Sequence, residues 1–397
     1  MSALSLTLPK RPLTTERMPI AGSPRLALMR DYYEEDWPSM NLCAEMLAHH
    51  LRNEHADRLV VSEFCPPFRA RLQRLPWLGK RRGAFNTDRL LNRMWDYPRH
   101  MRRRQGDADI FHVVDHSYAQ LVHVLPTGRV GVYCHDLDAF RCLLEPCRER
   151  RPRWFRAVAR RILGGLKRAA VVFHSTAAVR AAIERHGLVD PARLVHASYG
   201  FAPEFRRDPV GDEECRLVGP HRCDGPYLLH VGSCIPRKRV DLLLRAFMVL
   251  RTRFPDLRLV KVGGQWTTDQ RALLTELTGT VTHVTGIDRP ALAALYRHAS
   301  LVMMPSEAEG FGLPVLEALA CGAPVLCSDL PVFREVGGDV AHYAPVGDMD
   351  AWTSAATCQL GGSAPAESAE KRVEWAQRFS WRRHAQIIAD AYLGLMR

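Results

Sequence analysis

The chain has 397 residues, of which 47% are hydrophobic and 25% charged, enough apolar content to bury more than one core. That excludes a chain disordered throughout, and at ~100–200 residues per domain it predicts two domains. The net charge of +12 is unevenly placed, because residues 1–200 carry 33 Lys and Arg against 20 Asp and Glu, whereas residues 201–397 carry 22 against 23. A basic half attracts nucleic acid, anionic lipid or an anionic substrate, and charge alone does not choose among them.

In chain order, residues 1–23 lack the ~7–15-residue apolar centre of a secretory signal and read as a disordered extension of a cytoplasmic protein. No apolar run approaches the ~18 residues of a membrane span. Short apolar runs and segments of helical period then alternate. RLALMR (25–30) is a strand, MNLCAEMLAHHLR a helix and RLVVSEF a strand; a basic stretch reads as loop before the strands IFHVVDH (110–116) and RVGVYCHD. A helix near 152–168, the strand AAVVFHS, a helix near 176–186 and RLVHAS complete an N-terminal Rossmann-like domain over 24–205. The polar stretch 203–225 has no period of either kind and reads as the boundary.

From residue 226 the alternation is clearer. The strand PYLLHVG precedes the helix RKRVDLLLRAFMVLRTRF and the strand LRLVKVGG. A helix near 268–278, VTHVTG, PALAALYRHA, SLVMMP, LPVLEALACG and APVLCS continue the series. Strands that are apolar without in-out alternation belong to a parallel sheet covered on both faces. The expected fold is therefore α/β, with two Rossmann-like domains (24–205 and 226–378) facing across a cleft and a last helix at 379–397 crossing back onto the first. Ligands bind where the carboxyl ends of such sheets open.

The most informative stretch is PSEAEGFGLPVLEALACGAPV, residues 305–325. It follows a strand and opens a helix. Gly310 and Gly312 let the backbone approach a ligand, and the helix beginning near Leu313 offers free N–H groups and its positive dipole end to an anion, with phosphate the obvious occupant. Glu309 precedes the helix and Glu317 lies one turn inside it, so the two carboxylates reach different parts of one ligand; carboxylates paired with hydroxyls suit a sugar or a ribose. The competing reading is a surface loop before an ordinary helix.

The E-x7-E element EGFGLPVLE resembles the retaining glycosyltransferases of family 4, which have the GT-B fold. The similarity extends through VGSCIPRKRVDLLLRAF, LYRHASLVMMPSEAEGFGLPVLEALACGAPVLCSD, FREVGGDVAHY and FSWRRHAQIIADAY, and is loose in the N-terminal half. It implies that Glu309 contacts the donor sugar's hydroxyls, that Glu317 holds the nucleotide ribose, that Gly310, Phe311 and Gly312 touch the sugar, and that Leu313 lies beside the diphosphate. Gly232 and Ser233, with Arg237 and Lys238 on the same loop, would bind the donor. The two cations would neutralise the departing diphosphate, Lys238 weighted ahead of Arg237. Many members carry arginine where this chain has Ser233, and solvated cations at a helix start are the alternative.

The resemblance also places His135, just past a strand, as a catalytic helper reaching the donor sugar; a structural histidine is the competing reading. His112, His116 and His174 read as structural. Ser39 and Met40 stand where the family often has a Gly pair, and with Asp115, His116 and Tyr118 they are acceptor candidates. With 11 cysteines, odd in number and never spaced as CxxC, reduced thiols and no metal or cofactor are expected.

The segment CRERRPRWFRAVARRILGGLKR is a basic amphipathic helix, either resting on an anionic membrane, at the inner face of the cell membrane, or packed on its own domain. The implied activity is transfer of a hexose from a nucleotide diphosphate sugar, GDP- or UDP-hexose, to a sugar or lipid-linked hydroxyl acceptor in polysaccharide or glycolipid synthesis. An epimerase or phosphorylase of the same architecture is the first rival. A nucleic-acid binder is the second, and it lacks any recognised binding module.

Overall fold

A computed structural model describes residues 22–77, 82–208, 225–362 and 367–396. The expected N-terminal extension and most of the expected boundary stretch lie outside the described residues. Twelve strands are described among them. The first sheet contains β1 (Arg25–Met29), β2 (Val60–Phe64), β3 (Ile110–Val113), β4 (Val130–Cys134), β5 (Val171–His174) and β6 (Leu194–His196), in the order β2-β1-β3-β4-β5-β6. The second contains β7 (Tyr227–Val231), β8 (Arg258–Val262), β9 (Val281–Val284), β10 (Leu301–Met304), β11 (Val325–Ser328) and β12 (His342–Ala344), in the order β12-β11-β10-β7-β8-β9. Every pairing is parallel. Residues of β3, β4, β5, β10 and β11 are all buried, which is why these strands read as unbroken apolar runs. These are the two Rossmann-like parallel sheets that the alternation predicts.

In each sheet the strand order reverses once, between β1 and β3 in the first and between β7 and β10 in the second. Loops leaving the carboxyl ends of neighbouring strands diverge there and open a crevice. The Gly232 loop follows β7 and the Glu309 loop follows β10, so Lys238 and Glu309, 71 residues apart, become neighbours through the β7–β10 pairing, Leu301 beside Leu228.

The helix Trp381–Leu395 packs on the helix Pro38–Glu54 of the first half. Tyr392 lies against β4, where a Cβ at Gly131 would fall 2.1 Å from its hydroxyl, and that hydroxyl is 2.7 Å from Nδ1 of His112. Trp381 is buried, as an anchor should be. No helix among the described residues is long and apolar enough to cross a membrane.

Two expectations need correction. The basic stretch read as loop contains the helix Arg82–Leu91, a π-helical turn at Asn92–Asp96 and the helix Tyr97–Arg102. Its inward face carries polar side chains. Asp88 accepts the backbone N–H groups of Arg71, Leu72 and Gln73, and Asn92 bonds to both backbone groups of Arg69, so polar residues interrupt the buried face that Ala84, Tyr97 and Met101 share. The strand read as 110–116 ends at Val113. Asp115 then caps a 3-10 helix over His116–Val124 by accepting the N–H of Ser117.

Candidate active site

The Glu309 loop and the Gly232 loop meet in one charged cluster. Lys238 Nζ donates to Glu309 Oε1 at 2.5 Å, and Ser306 donates to the same oxygen at 2.7 Å. Arg237 Nη1 donates to the Ala308 carbonyl at 2.8 Å, lies 3.5 Å from Glu309 Oε2, and reaches into the first half through Nε, 3.3 Å from Asp138. Arg237, Lys238 and Glu309 are thus brought together, and Arg237 ties them to the opposite wall.

Backbone conformation places these groups. Arg239, at φ 47°, ends the Pro236–Lys238 turn and begins the helix Val240–Arg253; its side chain is fixed by Asp241 and Glu307. Gly312, at φ 94°, precedes the helix Leu313–Ala320, and a Cβ there would fall 2.7 Å from the Phe333 ring, so both backbone twist and space call for glycine. At Gly310 a Cβ would meet the His135 carbonyl oxygen at 2.2 Å, and the Gly310 carbonyl accepts from Ser175 and Thr176. The Glu309–Gly312 loop therefore seats directly on the first half. Phe311 packs edge-on to Tyr199 and Phe379, which makes it an apolar element of that seam.

Beneath the Gly232 loop lies a residue the sequence reading passed over. Lys261 of β8 is fully buried, and its ammonium donates to the carbonyls of Gly232 at 2.6 Å, Val262 at 3.0 Å and Gly263 at 2.6 Å. Burial pushes its pKa down to about 8. A lysine within an apolar strand gives a weak signal of its own, since only the sheet pairing shows that two glycine turns converge on it.

Glu317, facing inward one turn into its helix, accepts from the Tyr296 hydroxyl at 3.0 Å and is 7% exposed. Burial drives its pKa up to about 7, against the opposing pull of Tyr296 and Arg289. Leu313 is buried at the start of that helix, and Ser233 flanks Gly264, where a Cβ would fall 2.9 Å from it.

In the first half, both ring nitrogens of His135 are engaged: Nε2 is 2.8 Å from the Val114 carbonyl and Nδ1 pairs with the Tyr199 hydroxyl. Burial holds the ring below its ordinary pKa. The side chain is thus fixed within its own half, while its backbone contacts the donor-side loop. His116 lies between Asp115 (3.3 Å) and Asp136 (3.6 Å). Asp115 accepts from Ser117 N and Oγ, and Tyr118 donates to Glu35 at 2.6 Å. Ser39 and Met40 lie at the start of the helix Pro38–Glu54, Ser39 exposed and Met40 half-buried. Of the other histidines, His112 and His174 are buried, with pKa values lowered by burial to about 3 and about 4. Among the described residues no three His, Cys, Asp or Glu side chains converge as a metal site, and the described cysteines are free.

The helix Arg153–Arg168 buries its apolar stripe, Ala159, Ile162, Leu163 and Leu166, against the His116–Val124 turn, leaving Arg153, Arg160, Arg161 and Trp154 outward.

Residues 213–353 match the family described as glycosyl transferases group 1. The chain is 34% identical over 175 residues to the O-antigen chain mannosyltransferase B of Escherichia coli, covering 42% of this chain and 45% of that one. It is 35% identical over 217 residues to the D-inositol 3-phosphate glycosyltransferase of Mycobacterium avium, covering 51% and 50%. The match thus spans about half the length of each relative. The fold is shared over far more. Sucrose-phosphate synthase from Thermosynechococcus elongatus superposes with a TM-score of 0.72 at 21% identity, covering 94% of this chain and 99% of that one. Anabaena Alr3699/HepE in complex with UDP-glucose superposes at 0.70 and 16% identity, covering 94% and 100%. Residues 213–353, which contain the Gly232, Lys238 and Glu309–Glu317 elements, are thus the part of the chain similar to the glycosyl transferases group 1 family.

Proposed function

We propose that the protein is a retaining glycosyltransferase moving a hexose from a nucleoside diphosphate sugar to a hydroxyl acceptor in polysaccharide or glycolipid synthesis. The observation that carries this reading is the convergence of Lys238 and Arg237 on Glu309 at the reversal of the second sheet, beside a glycine loop that opens a helix. The helix N-terminus and two cations favour a pyrophosphate. In this reading Glu309 takes hydroxyls of the sugar and Glu317 those of the ribose. As the glycosidic bond breaks, charge grows on the leaving diphosphate, and Lys238 and Arg237 stabilise it more than they stabilise the bound donor. The acceptor hydroxyl attacks from the face the diphosphate leaves, and a departing phosphate oxygen takes its proton.

The UDP-glucose bound by Anabaena Alr3699/HepE and the mannosyltransferase name of the Escherichia coli relative support a nucleoside diphosphate hexose as donor, with UDP- and GDP-hexoses the first to test. Because the apolar stripe of the Arg153–Arg168 helix is covered, contact with an anionic membrane would rest on its outer arginines. The test is a thermal-shift screen of the whole chain against UDP, GDP, ADP and their hexoses. A ligand at 100 times its Kd adds about 2.7 kcal/mol of stability. One nucleotide family should raise Tm by several degrees and its hexose should be turned over; no stabilisation by any of them refutes the reading.

A further inference from the structure

The reversal of the first sheet holds a second polar constellation. Asp31 leaves the carboxyl end of β1 and Asp115 that of β3, the two strands between which the order turns. Glu35 follows on the β1 loop, and Arg93 arrives from the π-helical turn Asn92–Asp96, a distortion found often at functional sites. Arg93 donates to the Ser117 carbonyl at 2.5 Å and to its hydroxyl at 2.7 Å, lies 3.5 Å from Glu35, and stacks 4.2 Å above the Tyr118 ring. Glu35, Asp115 and Arg93 therefore have protein partners.

Asp31 does not. It is 4% exposed, and neither carboxyl oxygen has a hydrogen-bond donor. Arg93 Nε and Gln120 Oε1, in the same cluster, are also unmatched. A buried carboxyl left without donors costs free energy that a scaffold gains nothing by keeping, so a hydroxyl-bearing ligand is the natural partner. Burial, then repulsion from Asp115 and a proton that Asp31 can share with it, push the Asp31 carboxyl well above the ordinary range against the pull of Arg93. Burial acts on Asp115 in the same sense, but His116, His135 and Ser117 outweigh it and hold that carboxyl low.

The cluster also reaches the donor side. His116 bridges Asp115 to Asp136, whose Cβ lies 3.4 Å from where a Gly310 Cβ would be.

We infer that Asp31, with Arg93 and the Asp115–Ser117 turn, seats the acceptor, that Asp31 receives hydrogen bonds from its hydroxyls, and that the acceptor's reacting end is an uncharged polyol, a sugar or cyclitol, rather than a phosphorylated one. This rests on the glycosyltransferase reading. The charge balance selects the class: Asp31, Glu35 and Asp115 surround one guanidinium bonded to Glu35 and Ser117 with only its Nε unmatched, so an added phosphate meets three carboxyls against one shared cation.

The experiment uses the whole chain saturated with the nucleotide found by the donor screen. Methyl hexosides and myo-inositol are compared with hexose 6-phosphates and inositol 3-phosphate by their further effect on Tm. The neutral polyols should raise Tm, with an apparent affinity at least tenfold better than the phosphates. Asp31→Asn, matched in size, should fold with an unreduced Tm and lose that response at least tenfold, and Glu35→Gln should weaken it several-fold. A purely structural Asp31 would leave the polyol response intact, and that result overturns the inference, as does a larger response to the phosphates or none to any polyol. If no nucleotide binds at all, the donor reading fails first, and the two failures are told apart.

Discussion

Replacing Glu317 by Gln removes a carboxyl that the fold holds in its acid form. Its pKa is raised by burial from 4.5 to about 7, so the native state binds this proton more tightly than the unfolded chain. The sign follows: stability is full below pH 4.5, falls as pH rises between 4.5 and about 7, and is flat above. At ~1.36 kcal/mol for each step of pKa, the cost at pH 8 is about 3 kcal/mol, and at pH 5 it is under about 1 kcal/mol. Glu317→Gln keeps the shape and can still bond to Tyr296, so it should be more stable than the natural chain by up to about 3 kcal/mol at pH 8. That corresponds to a Tm rise of roughly 6–12 °C for a lobe of this size, shrinking to a few degrees at pH 5. At pH 8, where the group is ionised, the same change should weaken nucleotide binding, because hydrogen bonds from ribose to a carboxylate are worth about 1–2 kcal/mol more than those to an amide, a loss of roughly 5- to 30-fold. Calorimetry at the two pH values, with and without nucleotide, measures both. A Tm difference independent of pH refutes the electrostatic account; unchanged nucleotide affinity refutes the ribose contact.

Lys238→Ala should lower kcat about 10²–10³-fold with a smaller change in donor KM, measured by steady-state kinetics, since the cation acts mainly on charge that develops as the diphosphate leaves. Gly310→Ala puts a methyl group 2.2 Å from the His135 carbonyl oxygen and must displace the loop from the first half. Turnover should fall by about 10²-fold, and normal turnover would show that this seam does not position the sugar. Lys261→Met frees the Gly232 and Gly263 carbonyls from their common donor, and titration calorimetry should find nucleotide affinity reduced about tenfold. With the ammonium pKa pushed down to about 8, the natural chain's affinity should also decline as pH rises through that value, and the decline should be missing in the variant.

The legibility of this chain differs between its halves for a physical reason. In the second half, strands covered on both faces are uninterrupted apolar runs, and glycines punctuate their ends, so strands, helices and the EGFGLPVLE loop can be read directly. In the first half, the segment after β2 satisfies backbone groups with the inward-facing Asp88 and Asn92, and polar residues at buried positions escape a reading that looks for apolar ones. His135 shows the limit of a residue-by-residue reading. Its position after β4 is legible, whereas the engagement of both its nitrogens depends on Val114 and Tyr199, which come from elsewhere in the chain.

From its residues alone the chain dictates two parallel α/β sheets and, at a strand-to-helix turn, a loop only glycine can form. Strand order is a tertiary decision. Pairing β7 with β10 brings Lys238 to Glu309, pairing β1 with β3 brings Asp31 to Asp115, and pairing β7 with β8 turns Lys261 under the loop. Local propensity acts over a few residues, whereas these contacts join residues 29 to 84 apart, and only burial of both sheets' faces holds them together.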